Sequence, residues 1–511
     1  MNSGNHRGRT GKITLVVLFL LMVMLIQFSG NAKATPASLQ RVFGNLTSSP
    51  QAVNETEDIY LPLTLSFYPW VSPFGGEATI MFVESKPLYS HTVDLNIGWT
   101  RLNKTNGISW RKLQPNPGDA IKWDLLADFE DQLRSLQSAG ITPVISLNAS
   151  PHWAVDPDAR SDGQPTSCGP IHPDYFDEYA DFLQKLVKRY KTPEFNVHNW
   201  EFGNEPDVDP DLLPINSVYG CWGDISDKDY YGGKRYGEML KYISPKVKQA
   251  DPLAKVWVGG LLLSVPETTN PGLGKPERFL RGILEAGAAP YFDVLPYHGH
   301  LLYYGKVKDS DTVLSGPWVA WGGGVVGKAR YLRQIMDEYN VDKPLVQGEI
   351  GIGCRSDYSY CQPEPSEEFF QFQADMLVRV AVRTLSENIK GYSWYQINGN
   401  GWRNQGLLDF ENNPRPSYGT YQQLIMQLDR ARYLSNVNYG SDVEAYAFHQ
   451  APNKVHVVWV KDDTSVSIFV PKSKFVEAYD RDGTQITNPP VDGNNYKFTV
   501  GFSPIYIVRK P

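Results

Sequence analysis

The sequence predicts an α/β fold: a (β/α)8 TIM barrel followed by a small all-β domain. Short apolar runs alternate with longer segments at helical spacing over some 360 residues, and from about residue 436 only strand spacing remains. The competing open, doubly wound sheet is weakened because no Gly-rich phosphate loop follows the first strand.

The first segment stands apart from the fold. "MNSGNHRGRTGK" carries Arg7, Arg9 and Lys12, and the apolar run "ITLVVLFLLMVMLI" spans Ile13 to Ile26. "NAKA" follows, with Ala32 and Ala34 in the small-x-small pattern of a signal-peptidase site. A run of fourteen residues, all apolar but Thr14, suits a signal peptide better than a membrane span, which needs about 20. Residues 1–34 are therefore expected to be a signal peptide and the protein to be secreted, extracellular or periplasmic; the alternative is an uncleaved N-terminal anchor. Residues 35–63 are polar, rich in Ser, Thr, Pro and Asn, and read as a linker with sequons at Asn45 and Asn54.

The barrel is expected over residues 64–432. Strand candidates are "VDLNIGWTRL" (93–102), "ITPVISLNAS" (141–150), "NVHNWEFGNE" (196–205) and "AKVWVGGLLL" (254–263). "YFDVLPYHGH" (291–300), "KPLVQGEIGI" (343–352) and "IKGYSWYQIN" (389–398) continue the series, and a first strand belongs somewhere in residues 64–83. In "DLLADFEDQLRSLQSAG" the apolar Leu125, Phe129, Leu133 and Leu136 recur at steps of three and four, and Gly140 supplies the stop. Residues 174–190, 276–287, 328–339 and 366–388 show the same spacing. Residues 433–511 contain "DVEAYAFHQ", "KVHVVWVK", "SVSIFVP" and "YKFTVGFSPIYIVR", strands with turn residues between them, and are expected to form an accessory β-sandwich.

Removing residues 1–34 leaves 45 Lys and Arg against 56 Asp and Glu, a net charge of −11. An acidic chain without a basic run argues against nucleic acid, or an anionic membrane after signal cleavage, as the main partner. The 64 aromatic residues suit a cleft for flat ligands such as sugars, although large cores use them too. Cys168, Cys221, Cys354 and Cys361 match no zinc spacing, fit an oxidising compartment and allow three disulfide pairings.

"NWEFGNEPDV" (199–208) places Glu201, Glu205 and Asp207 within ten residues at a strand end. Function in such a barrel collects at the C-terminal ends of its strands, where Glu205 and Glu349 both lie. Strand alternation groups Glu201, Gly203 and Glu205 on one face, and Leu345, Gln347 and Glu349 on another. If both faces point inward, the two glutamates converge across the barrel mouth. Glycosidic bond cleavage needs such a pair: one carboxyl protonates the leaving oxygen, and the other attacks the anomeric carbon or activates water. Arg101 is the expected cation beside the ionised member. The plainer reading is two strand-end glutamates bridged to Lys or Arg.

"WEFGNEP", followed 144 residues after its second glutamate by "VQGEIG", resembles glycoside hydrolase clan A, in particular family 39 or family 5. The resemblance implies a retaining hydrolase without cofactor or metal, acting on an oligosaccharide, polysaccharide or other glycoside. It assigns Glu205 as acid/base, Glu349 as nucleophile and Asn204 as the residue that holds the sugar 2-hydroxyl. Arg101 matches the arginine that orients the nucleophile and is grouped with the substrate-binding residues. "NASPHWA" (148–154) places His152 and Trp153 in the cleft, and Trp394 in "GYSWYQIN" becomes the sugar platform. One departure stands out. Many clan members carry His-x-Tyr after strand six, the Tyr bonding the nucleophile; in "YHGH" His298 matches, but His300 replaces the Tyr.

Glu201 is expected to be a buried structural acid and Asp207 a loop residue. His298 and His300, without a third ligand, read as hydrogen-bonding residues rather than a metal site. Trp222, Trp318, Trp321 and Trp402 lie on long loops, where they stack on sugar or pack their own loop. Two other classes remain open: a catalytically silent carbohydrate-binding protein on the same barrel, and a non-sugar barrel enzyme needing a metal or phosphate site.

Overall fold

The computed structural model describes residues 72–78, 84, 86–103, 108–264, 274–399 and 401–511. The expected signal peptide, the linker and its sequons lie outside them. Among the described residues, no helix is long and apolar enough to cross a membrane.

Eight strands each lead into a helix. They are β1 (Phe74–Glu77), β2 (Trp99–Leu102), β3 (Thr142–Leu147), β4 (Asn199–Asn204), β5 (Lys255–Gly260), β6 (Leu295–His298), β7 (Leu345–Ile350) and β8 (Tyr392–Tyr395). The helices are α1 (Pro87–Asp94), α2 (Ala127–Ser138), α3 (Phe176–Tyr190), α4 (Gly233–Ala250), α5 (Phe279–Glu285), α6 (Val326–Glu338), α7 (Glu367–Ser386) and α8 (Pro416–Leu428). The strands form one sheet in the order β5-β4-β3-β2-β1-β8-β7-β6. Parallel bridges Trp257–Val294 and Leu261–Tyr297 join β5 to β6 and close the ring. The expected (β/α)8 barrel is the fold observed, and the first strand, sought within residues 64–83, is Phe74–Glu77.

Strand and helix periodicities explain the layering. Leu133, Leu136, Leu183, Leu186, Leu240 and Ile243 recur at helical steps and are fully buried on the sheet's outer face. Inside the ring, Trp99, Val144, Trp257, Val294 and Val346 form a separate dry plug. Above that plug the inward positions become polar, and this change creates room for a site.

The chain continues as β9 (Arg432–Asn436), β10 (Val443–Gln450), β11 (Asn453–Val460), β12 (Val466–Pro471), β13 (Phe475–Asp480), β14 (Val491–Asp492), β15 (Asn495–Val500) and β16 (Ile505–Arg509). A five-stranded sheet, β9-β10-β11-β16-β13, and a three-stranded sheet, β12-β15-β14, enclose a core that includes Val458, Val460, Ile468, Val470, Phe498 and Ile507. The other face of the larger sheet, with Phe448, Val457, Trp459 and Tyr506, joins the core of the barrel helices.

Ionic contacts reinforce that junction. Arg379 of α7 lies under the Phe502 ring at 3.8 Å, and Arg379 and Arg383 bond Asp309 at 3.1 and 2.7 Å. Arg383 also reaches Asp311 at 3.1 Å and Glu444 of β10 at 2.7 Å. Burial pushes Asp309 up, but Arg383 and Arg379 outweigh it and hold its carboxyl well below the usual range. Removing one partner of a buried ionic cluster strands the others without compensation. Asp309→Ala is therefore expected to lower unfolding stability by about 3 kcal/mol or more, measured by urea denaturation.

Candidate active site

The site is built on Arg101 at the inner face of β2. Its guanidinium is 1 % exposed and bonds Glu77 of β1 at 2.7 Å, Glu201 of β4 at 2.5 Å and Asn204 Oδ1 at 2.7 Å. It also donates through Nη1 to Glu349 Oε1. Burial lowers the guanidinium's proton affinity, but Glu201, Glu77 and Glu349 together raise it well above its ordinary value. Three carboxylates share this one guanidinium, and other donors make up the deficit. Glu201 Oε1 accepts the Gly260 N–H at 2.9 Å, and Glu349 Oε2 lies 3.1 Å from His300 Nε2.

Simple alternation does not produce this arrangement. Val346 belongs to the inner plug, so Leu345 and Gln347 face outward and Gln347 pairs with Tyr297. The next paired residue is Glu349, opposite His298, so Gly348 is an extra residue in the ladder. This bulge turns Glu349 inward. The expected shared face of Leu345, Gln347 and Glu349 is thus incorrect.

β4 uses a different device. Gly203 adopts φ +94° and Glu205 φ +51°, so the chain leaves pleated geometry just before the carboxylate. Asn204, rather than Gly203, joins Glu201 on Arg101, and Glu205 is held by its N–H to the Gly260 carbonyl at 2.9 Å. A left-handed glutamate is uncommon, and its neighbours must hold it there.

His298 bridges the two carboxylates. Its Nδ1 lies 2.9 Å from Glu205 Oε1 and its Nε2 lies 3.8 Å from Glu349 Oε1. The imidazole presses so closely on β5 that a Cβ on Gly260 would sit 2.2 Å from Nε2. Burial pushes Glu349 up, but His298, Arg101 and His300 hold it well below the carboxylate range. Burial also pushes Glu205 up, and the bond to His298 with that residue's charge holds it below its ordinary value. Conversely, burial lowers His298, while Glu349 and Glu205 raise it above the ordinary imidazole value.

One donor atom from each of Glu205, His298, His300 and Glu349 lies within 4.8 Å of the others, close enough to share one cation. Such an ion would compete with the hydrogen bonds that already pair each imidazole with a carboxylate.

A cavity of about 490 Å³ opens over Asn204, Glu205, His300 and Glu349. A larger groove of about 970 Å³ runs between α8 and the C-terminal sheet, lined by residues such as Gln422, Met426 and His449, far in the fold from these carboxylates. Two carboxylates and two imidazoles meet at the smaller cavity, and none of them lines the larger groove.

Several expected site residues lie elsewhere. Trp394 is fully buried and donates its indole N–H to the Gln405 carbonyl at 2.8 Å. It pairs with Gly76, whereas Tyr395 pairs with the inward Glu77 and lines the cavity in its place. His152 is exposed beside Arg111 at 3.0 Å. Trp153 packs against Trp110 and Tyr175, with its N–H 3.3 Å from the Gln114 carbonyl. Neither lines the cavity, because the loop after β3 turns outward and the indole joins an aromatic cluster on α3. Asn148 remains at the strand end and bonds Asn103 at the end of β2.

Of the loop tryptophans, Trp402 lines the cavity 5.3 Å from the His300 ring, while Trp222 and Trp318 are buried. Asp207 is buried too, where it accepts the N–H groups of Leu262 and Leu263 at 2.8 Å; burial raises it to about 6. The cysteines pair as Cys168–Cys221 and Cys354–Cys361.

No protein-family model matches this chain, and no curated protein sequence matches it. Solved structures do. A family 39 glycoside hydrolase from the gut symbiont Bacteroides cellulosilyticus WH2 superposes with a TM-score of 0.61 at 19% identity, over 86% of this chain and 81% of that one. The fold is that of these glycoside hydrolases. A GH30 endoxylanase from Clostridium papyrosolvens C71 gives 0.57 at 15% identity, covering 86% of this chain and 97% of its own. A GH39 β-xylosidase from Caulobacter crescentus gives 0.54 at 14%, covering 86% and 96%. The architecture implied by the resemblance to clan A is the one observed.

Depression of the Glu349 pKa favours folding above its unfolded value, and the benefit disappears as pH falls through the folded value. Arg101→Leu is expected to cost about 3–5 kcal/mol at pH 7, with a smaller gap from wild type at pH 4, measured by denaturant titration at both.

Proposed function

We propose that this protein is a retaining glycoside hydrolase in which Glu349 attacks the anomeric carbon and Glu205 serves as acid and then base. The observation that carries the reading is the placement of a buried Glu349 and a half-buried Glu205 with a carboxylate oxygen of each within 4.8 Å, bridged by one imidazole. Double displacement uses carboxyl groups about 5–5.5 Å apart, whereas inversion needs about 6.5–9.5 Å to admit a water.

The two carboxyls have different surroundings, as their roles require. Glu349 accepts from Arg101 and His300 and is ionised, ready to attack. Glu205 lies below its ordinary value in the free enzyme, which at first opposes an acid role. The proton is instead held by the Glu205–His298 pair, largely on Nδ1. As Glu349 forms its bond to the sugar, it loses a negative charge that helps to retain the His298 proton. The proton then moves through Glu205 to the leaving oxygen as that oxygen departs. Glu205, again a carboxylate, deprotonates the water that releases the sugar.

Asn204, fixed by Arg101, holds the sugar 2-hydroxyl, with Tyr395 and Trp402 beside the ring. Arg101 is too deeply enclosed to touch substrate and positions Glu349 and Asn204 instead. His300 takes the donor role that the clan gives to tyrosine. Secretion is part of this reading. The two disulfides fit an oxidising compartment, and an exported protein from Bacteroides fragilis shares the fold with a TM-score of 0.61.

A panel of aryl glycosides tests the assignment. Glu349→Ala is expected to lower turnover by about 10⁴-fold or more. Added azide should restore it and give a glycosyl azide of inverted configuration. Product of inverted configuration from the wild-type enzyme would contradict retention, and sugar binding without turnover would favour the silent binding protein. In pH–rate profiles, the basic limb of kcat/KM should follow the raised His298 value, above 6.5, and move to lower pH in His298→Asn.

A further inference from the structure

The acid marks the leaving-group side of a glycosidase site, because its proton goes to the departing oxygen. Beyond Glu205 the described cavity wall consists of Val208, Leu213 and Tyr219 from the loop after β4, and Leu262 and Ser264 from the segment after β5. This half contrasts with the half around Asn204, His300, Tyr395 and Trp402, which offers polar atoms and ring faces. Its one charged group, Lys328, donates to the carbonyls of Leu262 at 2.6 Å and His298 at 2.8 Å.

The wall is firmly held. Val208 and Tyr219 pack with Leu213 on the Cys168–Cys221 disulfide, and the Cys221 N–H bonds the Val208 carbonyl at 2.8 Å. The same loop extends the apolar surface outward through Leu212 and Ile215, which are 66% and 45% exposed. A second sugar seated here would lose hydration from its hydroxyls against Val208, Leu213 and Leu262, which return no hydrogen bonds, with only the Ser264 and Tyr219 hydroxyls to offset the loss. An alkyl or aryl group loses nothing comparable and gains by leaving water.

Resting on the glycosidase reading, we infer that the leaving group accepted by this site is an apolar alcohol or phenol rather than another sugar. Hydrolysis then breaks the bond between the anomeric carbon and the oxygen of that alcohol. Glu205 gives a proton to this oxygen, and water then supplies its hydroxyl to the anomeric carbon and its proton to Glu205, freeing Glu349.

The test compares octyl and methyl glycosides with a disaccharide, all carrying the sugar chosen by the aryl panel. Octanol and methanol are similar leaving groups, and both are poorer than a sugar hydroxyl. A preference for octyl therefore reports binding rather than leaving-group chemistry. The expected kcat/KM for the octyl glycoside exceeds that for the methyl glycoside by at least about tenfold and that for the disaccharide as well. Leu213→Asn is expected to reduce the octyl-to-methyl ratio. Should that variant fail to fold, the exposed pair Leu212→Ser and Ile215→Ser should reduce the same ratio. Turnover with equal or better use of the disaccharide overturns the inference while leaving the glycosidase reading intact. No turnover of any glycoside overturns both.

Discussion

A single buried guanidinium organises the barrel mouth. Arg101 stands above the apolar plug formed by Trp99, Val144, Trp257, Val294 and Val346, and it binds three carboxylates and an asparagine from three different strands. Ions so far from water are tolerated only when their charges and hydrogen-bonding atoms are matched. The match fixes β1, β4 and β7 relative to β2 at the floor of the cavity over Glu205 and Glu349. Glu77 and Glu201 need not react to matter. They make Arg101 a rigid support on which Glu349 and Asn204 are held in place.

The imidazoles complete what Arg101 leaves undone. Three carboxylates around one guanidinium leave negative charge in excess, and His298 and His300 face that excess. His298 is more than a counter-ion because it touches both Glu205 and Glu349. Its proton affinity therefore depends on the charge of each, so a change of charge at Glu349 is felt at Glu205 without motion of the backbone. Gly260 permits this bridge, since any side chain there would occupy the space taken by the ring.

Most of the barrel was legible in the sequence because apolar runs and helical spacing report burial directly. Helices α1, α4 and α8 were less so. Pro87 and Pro416 open two of them, and Gly237 and Pro245 lie within the third, so breaker residues masked the pattern. Glu205 and Glu349 stood out as acids at strand ends, and Glu201 as scaffold. The fine aim of side chains did not, because it depends on departures from alternation. A bulge at Gly348 turns Glu349 inward, left-handed residues redirect β4, and a difference of one residue buries Trp394 while Tyr395 lines the cavity. His152 and Trp153 were misplaced because a loop's exit direction is set by distant aromatic packing, not by its own residues. The apolar wall was invisible for a similar reason: Val208, Leu213 and Leu262 acquire meaning only once they surround Glu205.

The ionic seam beneath the C-terminal sheet has a consequence for how this chain can be rebuilt. Asp309 and Asp311 belong to the loop that continues from His298 and His300, and Arg383 ties both to Glu444 of β10. Trp459 of the sheet and Phe502 of the turn before β16 are the rings against which Arg379 rests. The β region is thus a buttress for the loop after β6, not an interchangeable cassette. A chimera that grafted another sandwich onto this barrel would have to reproduce one carboxylate and two aromatic faces at this seam, or the graft would unsettle the histidines far above it.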